Sequence, residues 1–282
     1  MRARWRRLLS NVVVALCAGA VLLALVPLAL VLFYVVTQGI SSLSVAFFTE
    51  MPKPVGEAGG GMSNAIVGSL MVTGLGALFA IPVGVMSGIY ASEYAGSRLA
   101  SLVRFAADTL NGVPSIVIGV FVYGIAVLPF RQFTALAGGV ALGVMMIPLI
   151  MRTTEELLLL VPPTLREGAL ALGATRARAV FTVIVPAALP GIITGILLAL
   201  SRIAGETAPL LFTSFNNRFF STDPTQPIST LTVQIYTYAI SPYADWHRQA
   251  WAGALVLVSI VLLFSLLARF ATARMERLQR GQ

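Results

Sequence analysis

Two charged residues, Arg202 and Glu206, lie inside the apolar run at residues 186–212, which reads PAALPGIITGILLALSRIAGETAPLLF. Read as one helix, the spacing puts a guanidinium and a carboxylate on one face, about one turn apart. Each charge near the middle of a membrane helix costs roughly 2.5–3.5 kcal/mol on insertion scales. The two together forfeit on the order of 5–7 kcal/mol before any mutual pairing is credited. A marginally stable protein rarely keeps such a pair without a use. Whatever binds in, or crosses, the membrane is expected to meet that face.

The elements that must hold the pair are set by composition. The chain has 282 residues, 57% hydrophobic and 11% charged, with a mean hydropathy of +0.89. Soluble domains carry about 25% charged residues, so the sequence is that of a polytopic membrane protein. A pI near 10.4 would suit a nucleic-acid binder, but most arginines flank apolar spans instead of forming a basic face, which excludes that class. The one cysteine, Cys17, rules out an intramolecular disulfide. With His247 the only histidine and no Cys/His cluster, no metal site is expected.

The apolar runs predict an all-α protein of six spans in a single membrane domain, 1–282. The spans are expected at residues 11–37, 64–91, 111–128, 133–151, 186–212 and 250–270. The first run is nearly twice the length of a signal-peptide core and has no clear small-residue cleavage site, so it reads as a retained helix. Residues 38–62 and 213–248 read as external loops and 152–185 as a long charged cytoplasmic stretch. Leu99, Leu102, Val103 and Ala106 mark an interfacial or cytoplasmic amphipathic helix before the third span. Of the nineteen Lys and Arg residues, fourteen fall in the segments that share a side with both termini, four in the opposite loops, and Arg202 in the membrane. The positive-inside rule then places both termini in the cytoplasm.

The cytoplasmic stretch 167–186 reads EGALALGATRARAVFTVIVP. It resembles the EAA loop of ABC-importer permeases, whose pattern is E-A-A, three residues, Gly, nine residues, I-x-L-P. Glu167, Ala169, Gly173 and Pro186 fall in register; Gly168 replaces the middle Ala, and Val183 and Val185 replace Ile and Leu. MSNAIVGSLMVTGLGALFAIPVG (62–84), GIYASEYA (88–95), NGVPSIVIGVF (111–121) and RIAGETAPLLFT (202–213) are similar to the phosphate-importer branch of that family, the PstA permeases. The likeness runs from Met62 to the C-terminus, while residues 1–61 match only in general character.

That resemblance implies a type I ABC-importer permease fold in the bacterial inner membrane, and a subunit that is not itself an enzyme. Glu167, Gly168, Ala169 and Gly173 take the ATPase-coupling role. The partners it implies are a second, PstC-like permease, a PstB-like ATPase dimer and an external PstS-like phosphate-binding protein, with membrane lipid around the spans. No G-x-x-x-x-G-K-[ST] occurs in the chain, so no cofactor is expected here and ATP is used by the partner.

In that setting Arg202 is the candidate phosphate contact, because a guanidinium donates two parallel hydrogen bonds to an oxyanion and keeps its charge at any working pH. Glu206 has three readings. It holds Arg202 in the resting state, it accepts a hydrogen bond from the protonated oxygen of HPO₄²⁻, or the two form a purely structural i,i+4 pair. Asn111 and Ser115 flank the break at Pro114 and either line the same pathway or mark a Pro-capped helix start. Alternatives are a permease for sulfate or molybdate, which Arg202 would suit equally, and an intramembrane enzyme, for which the sequence offers only the Arg202/Glu206 pair. Gly139/Gly143 and Gly191/Gly195 are expected at helix contacts. The aromatic loop around Phe215–Gln226 is expected to dock a binding protein.

Overall fold

The computed structural model describes residues 2–57 and 59–280; Met1, Ala58, Gly281 and Gln282 of the expected 1–282 domain lie outside the described residues. Regular structure among the described residues is all helical. In chain order the helices are α1 (Arg2–Ile40), α2 (Val45–Thr49), α3 (Ser63–Glu93), α4 (Arg98–Gly112), α5 (Ser115–Val122), α6 (Ala135–Leu159), α7 (Pro163–Ala171), α8 (Arg176–Ala179), α9 (Val185–Ile203), α10 (Ala208–Thr213), α11 (Leu231–Ala239) and α12 (Ala244–Arg280). Two π turns, Tyr123–Val127 and Val180–Ile184, extend α5 and lead into α9.

The central pair is α3 against α6. Val72, Ala80, Leu142, Met146 and Ile150 are fully buried there, and Ile203, Leu210, Ile228 and Val233 complete the same core. In lipid the apolar effect gives helices little reason to associate, so close backbone approach through small residues does that work. Phe79 crosses Gly143, where a Cβ would stand 2.0 Å from its ring, and a Cβ on Gly139 would stand 2.8 Å from that of Leu75. Gly195 seats α9 on α6 in the same way, a Cβ there falling 2.3 Å from Thr153 Cγ2. Helix α1 packs along α12, with Tyr34 edge-on to Trp251 at 5.3 Å.

Among the described residues, five helices are long and apolar enough to cross a membrane, or six if α4 and the α5 segment count as one broken span bent by 106°. The third span, expected at 111–128 after a break at Pro114, is thus short and joined to α4 at a sharp bend. From Ser115 to Val127 it is only about 20 Å long, and the chain turns sharply at Gly112–Pro114. The fourth extends to Leu159, past the expected end at residue 151, because its charges are paired. Glu155 is buried between Arg104, 2.5 Å away, and Arg152, 3.1 Å away, and Arg152 also bonds Asp108. On α4 the buried side is Ala100 and Ala107, whereas Leu99, Leu102 and Phe105 point outward. The solvent here is lipid, so the amphipathic pattern does not say which apolar side faces protein.

Residues 213–248 are a folded element and not a free external loop. Residues 228–234 are buried. Ser69 Oγ accepts from the Leu231 N–H at 2.7 Å, and the Asn64 amide donates to the Asn217 carbonyl at 2.7 Å. Helix α11 therefore dips back into the bundle between α3 and α12.

Candidate functional site

The run expected as one helix at 186–212 is two. Helix α9 stops at Ile203, and the chain turns through Ala204 to Thr207 before α10 begins at Ala208. Gly205 is a poor helix former, and Pro209 brings no N–H and disfavours helical geometry at Ala208. Arg202 consequently sits in the last turn of α9, where a cation meets the negative end of the helix dipole. Glu206 lies in the break. No ion pair joins the two among the described residues, so the expected i,i+4 contact on a continuous face is not formed.

They share a cavity instead. A space of about 250 Å³ is lined by Arg202 and Glu206 on one side and by Asn111 and Ser115 on the other, with Met145 and Leu149 of α6 as an apolar wall. All four residues singled out by the sequence as pathway candidates meet here. The sharp corner between α4 and α5 makes this possible, since it places Asn111 on one arm and Ser115 at the start of the other. Pro114 caps α5, its carbonyl taking the Val117 N–H at 2.9 Å. The N–H groups of Ser115 and Ile116 at that start have no intrahelical acceptor and form the positive end of the helix dipole. Gly119 of α5 lies against Pro209 of α10, where a Cβ would stand 2.6 Å from Pro209 Cα, and this close approach brings the corner to the break.

Chemically the cavity offers one permanent cation, a hydroxyl, a carboxamide and a single carboxylate. Such a set holds a tetrahedral anion and can accept one proton-bearing oxygen from it. The break is itself held from outside: Thr232 Oγ1 donates to the Glu206 carbonyl at 3.0 Å. Thr232 was not legible as a site residue, because the segment ISTLTVQ reads as ordinary polar loop.

At the far end of α9 lies the loop that carries Glu167, Gly168, Ala169 and Gly173. No residue of α7 is buried, and Leu172 is 90% exposed. Helix α7 ends in a paired C-cap, with Gly173 N–H on the Leu170 carbonyl at 2.9 Å and Ala174 N–H on the Ala169 carbonyl at 3.1 Å. Gly173 has φ +81°, the left-handed geometry that this cap requires and that glycine adopts without strain. The loop is thus a short capped knob, joined through a π turn to the helix whose last turn carries Arg202.

Residues 80–281 match the family model of the binding-protein-dependent transport system inner membrane component. The chain is 46% identical over 271 residues to the phosphate transport system permease protein PstA of Yersinia pestis, covering 96% of this chain and 92% of that one. The chain belongs to the PstA family of inner-membrane permeases. Its relatives include the PstA of Haemophilus influenzae, 42% identical with 95% of each chain covered. A probable PstA of Methanocaldococcus jannaschii is 36% identical with 94% of each covered. The fold is that of ABC-importer permeases. A chain of the MetNI methionine ABC transporter matches with TM-score 0.60 at 22% identity, covering 75% of this chain and 95% of that one. One of a bacterial alginate ABC transporter matches with TM-score 0.67 at 15% identity, covering 94% of both. Membership makes the chain a non-catalytic membrane subunit.

Proposed function

We propose that the chain is the permease subunit of an ATP-driven importer of inorganic phosphate, with the Arg202 cavity as its anion contact. The observation that carries this reading is the convergence of Arg202, Glu206, Asn111 and Ser115 on one space. The relatives, phosphate transport system permeases of bacteria and an archaeon, support phosphate as the substrate.

In this reading both termini and the α7 loop face the cytoplasm, as the arginine distribution favours. Glu167, Gly168, Ala169 and Gly173 seat on a PstB-like ATPase dimer, which binds and hydrolyses the ATP. A PstC-like permease supplies the other wall of the pathway, and a PstS-like binding protein delivers phosphate from outside. ATPase closure pushes the α7 knob, and α9 carries that displacement about 26 Å along its axis to Arg202. Arg202 takes the anion through paired N–H donors. Glu206, free of Arg202, accepts from the P–OH of HPO₄²⁻, a hydrogen that sulfate does not have.

The test is uptake of labelled phosphate by the four-part assembly in liposomes, with sulfate as competitor. Phosphate uptake that depends on ATP and is abolished in Arg202→Ala is expected. Uptake of sulfate in preference to phosphate would assign the chain to a different oxyanion.

A further inference from the structure

The α7–α8 loop is attached to the membrane bundle at a point that the chain path does not reveal. Glu93 is the last residue of α3, and its side chain is 4% exposed. Its Oε2 accepts from Arg166 Nη1 at 2.6 Å, across 73 residues of sequence, and lies 3.5 Å from Arg176 Nε. Arg176 also donates to the Glu93 carbonyl and lies over the Tyr94 ring, 4.6 Å from its centroid. Arg166 and Arg176 bracket the segment Glu167–Gly173. One carboxylate therefore grips the knob from both ends.

We propose that Glu93 is a positioning residue that makes α3 move with the ATPase-docking loop; this rests on the functional reading above. The loop is covalently joined to α6 and α9 only. Through Glu93 it gains a third attachment, and that attachment leads to the other half of the anion site. Helix α3 carries Ser69, which holds the Leu231 N–H at the start of α11, and Gly68, packed on the Ser229 carbonyl. Thr232, one residue beyond Leu231, holds the Glu206 carbonyl. Displacement of the loop thus reaches Arg202 along α9 and reaches Glu206 along α3 and α11. A guanidinium–carboxylate contact suits such a joint, because a charge-assisted hydrogen bond is shorter and stronger than a neutral one. The second carboxylate oxygen, Oε1, is buried with no hydrogen-bond partner among the described residues, which leaves the group able to exchange donors as the loop shifts.

The experiment uses the complete importer in liposomes, with Glu93→Gln, Arg166→Gln and the charge-exchanged pair Glu93→Arg/Arg166→Glu. Phosphate uptake and ATP hydrolysis are measured together, and assembly is checked by co-purification of the ATPase. The single variants are expected to assemble and hydrolyse ATP but to move about tenfold less phosphate per ATP. The exchanged pair is expected to recover part of that ratio. If Glu93→Gln does not assemble, Arg166→Gln carries the same test, since it alters a side chain at the edge of the contact. An unchanged ratio in the single variants overturns the joint while leaving the transport reading intact. A wild-type assembly that hydrolyses ATP without moving phosphate overturns the transport reading instead.

Discussion

Gly119 and Pro209 touch so closely that the space for a side chain between α5 and α10 does not exist; a Cβ on Gly119 would stand 2.6 Å from Pro209 Cα. This contact draws the α4–α5 corner against the break after α9 and closes the cavity between them. Gly119→Ala is expected to destabilise the bundle by about 1–3 kcal/mol through overpacking. It should also weaken phosphate uptake, because the extra carbon separates Ser115 from Arg202. Thermal unfolding of the purified importer in detergent measures the first effect and vesicle uptake the second. Normal uptake in a destabilised variant would show that the contact serves packing alone.

Removing the Arg202 guanidinium should lower uptake by about 100-fold or more, the usual scale for truncating one partner of a charged recognition contact. Assembly and docking of the ATPase are expected to persist, because Arg202 makes no ion pair among the described residues and truncating it orphans no carboxylate. Arg202→Lys keeps the charge but loses the paired donors. Full transport by that variant would count against bidentate recognition.

Glu206→Gln addresses discrimination. If the carboxylate accepts from the protonated phosphate oxygen, its loss should narrow the preference for phosphate over sulfate by about tenfold, the worth of one such hydrogen bond. Competition of unlabelled sulfate against labelled phosphate reads this directly. An unaltered preference would sink the idea.

The coupling loop is expected to respond differently from the cavity. Gly173→Ala forces a left-handed backbone on a residue with a Cβ, at about 1–2 kcal/mol, and so frays the end of α7. Glu167→Ala removes an exposed charge that makes no ion pair among the described residues. Both should raise the ATP consumed per phosphate while leaving phosphate affinity in place, as measured by uptake kinetics at varied substrate. A shift in affinity with constant coupling would reverse the assignment of the two sites.

Much of the molecule was readable from the chain. The apolar runs gave the all-helical membrane architecture, and the Gly139/Gly143 and Gly191/Gly195 spacings marked contacts that the packing does use. The four residues that line the cavity were legible because each breaks a rule of the bilayer: a charge in a span, or a polar group beside a proline. What stayed hidden depends on distant partners. The burial of Glu155 and Glu93 could not be read along the chain, because Arg104 and Arg166 lie 51 and 73 residues away from them. The break at Ala204–Thr207 was concealed by continuous hydropathy, which registers apolar character and not backbone geometry. The burial of residues 228–234 was invisible for the opposite reason: small hydroxyl residues look like surface loop until their hydrogen bonds are found inside.

The interruption after Ile203 gives the two charges independent carriers, Arg202 fixed to α9 and Glu206 tethered through Thr232 to α11. On an unbroken helix their separation would be a constant of the fold. Here helix geometry does not fix it, and in the proposed mechanism it is a coordinate, a caliper whose opening would report the state of the transport cycle. Paired probes at residues 202 and 206 should therefore show a distance that changes with nucleotide on the partner ATPase, even in empty vesicles with no phosphate present.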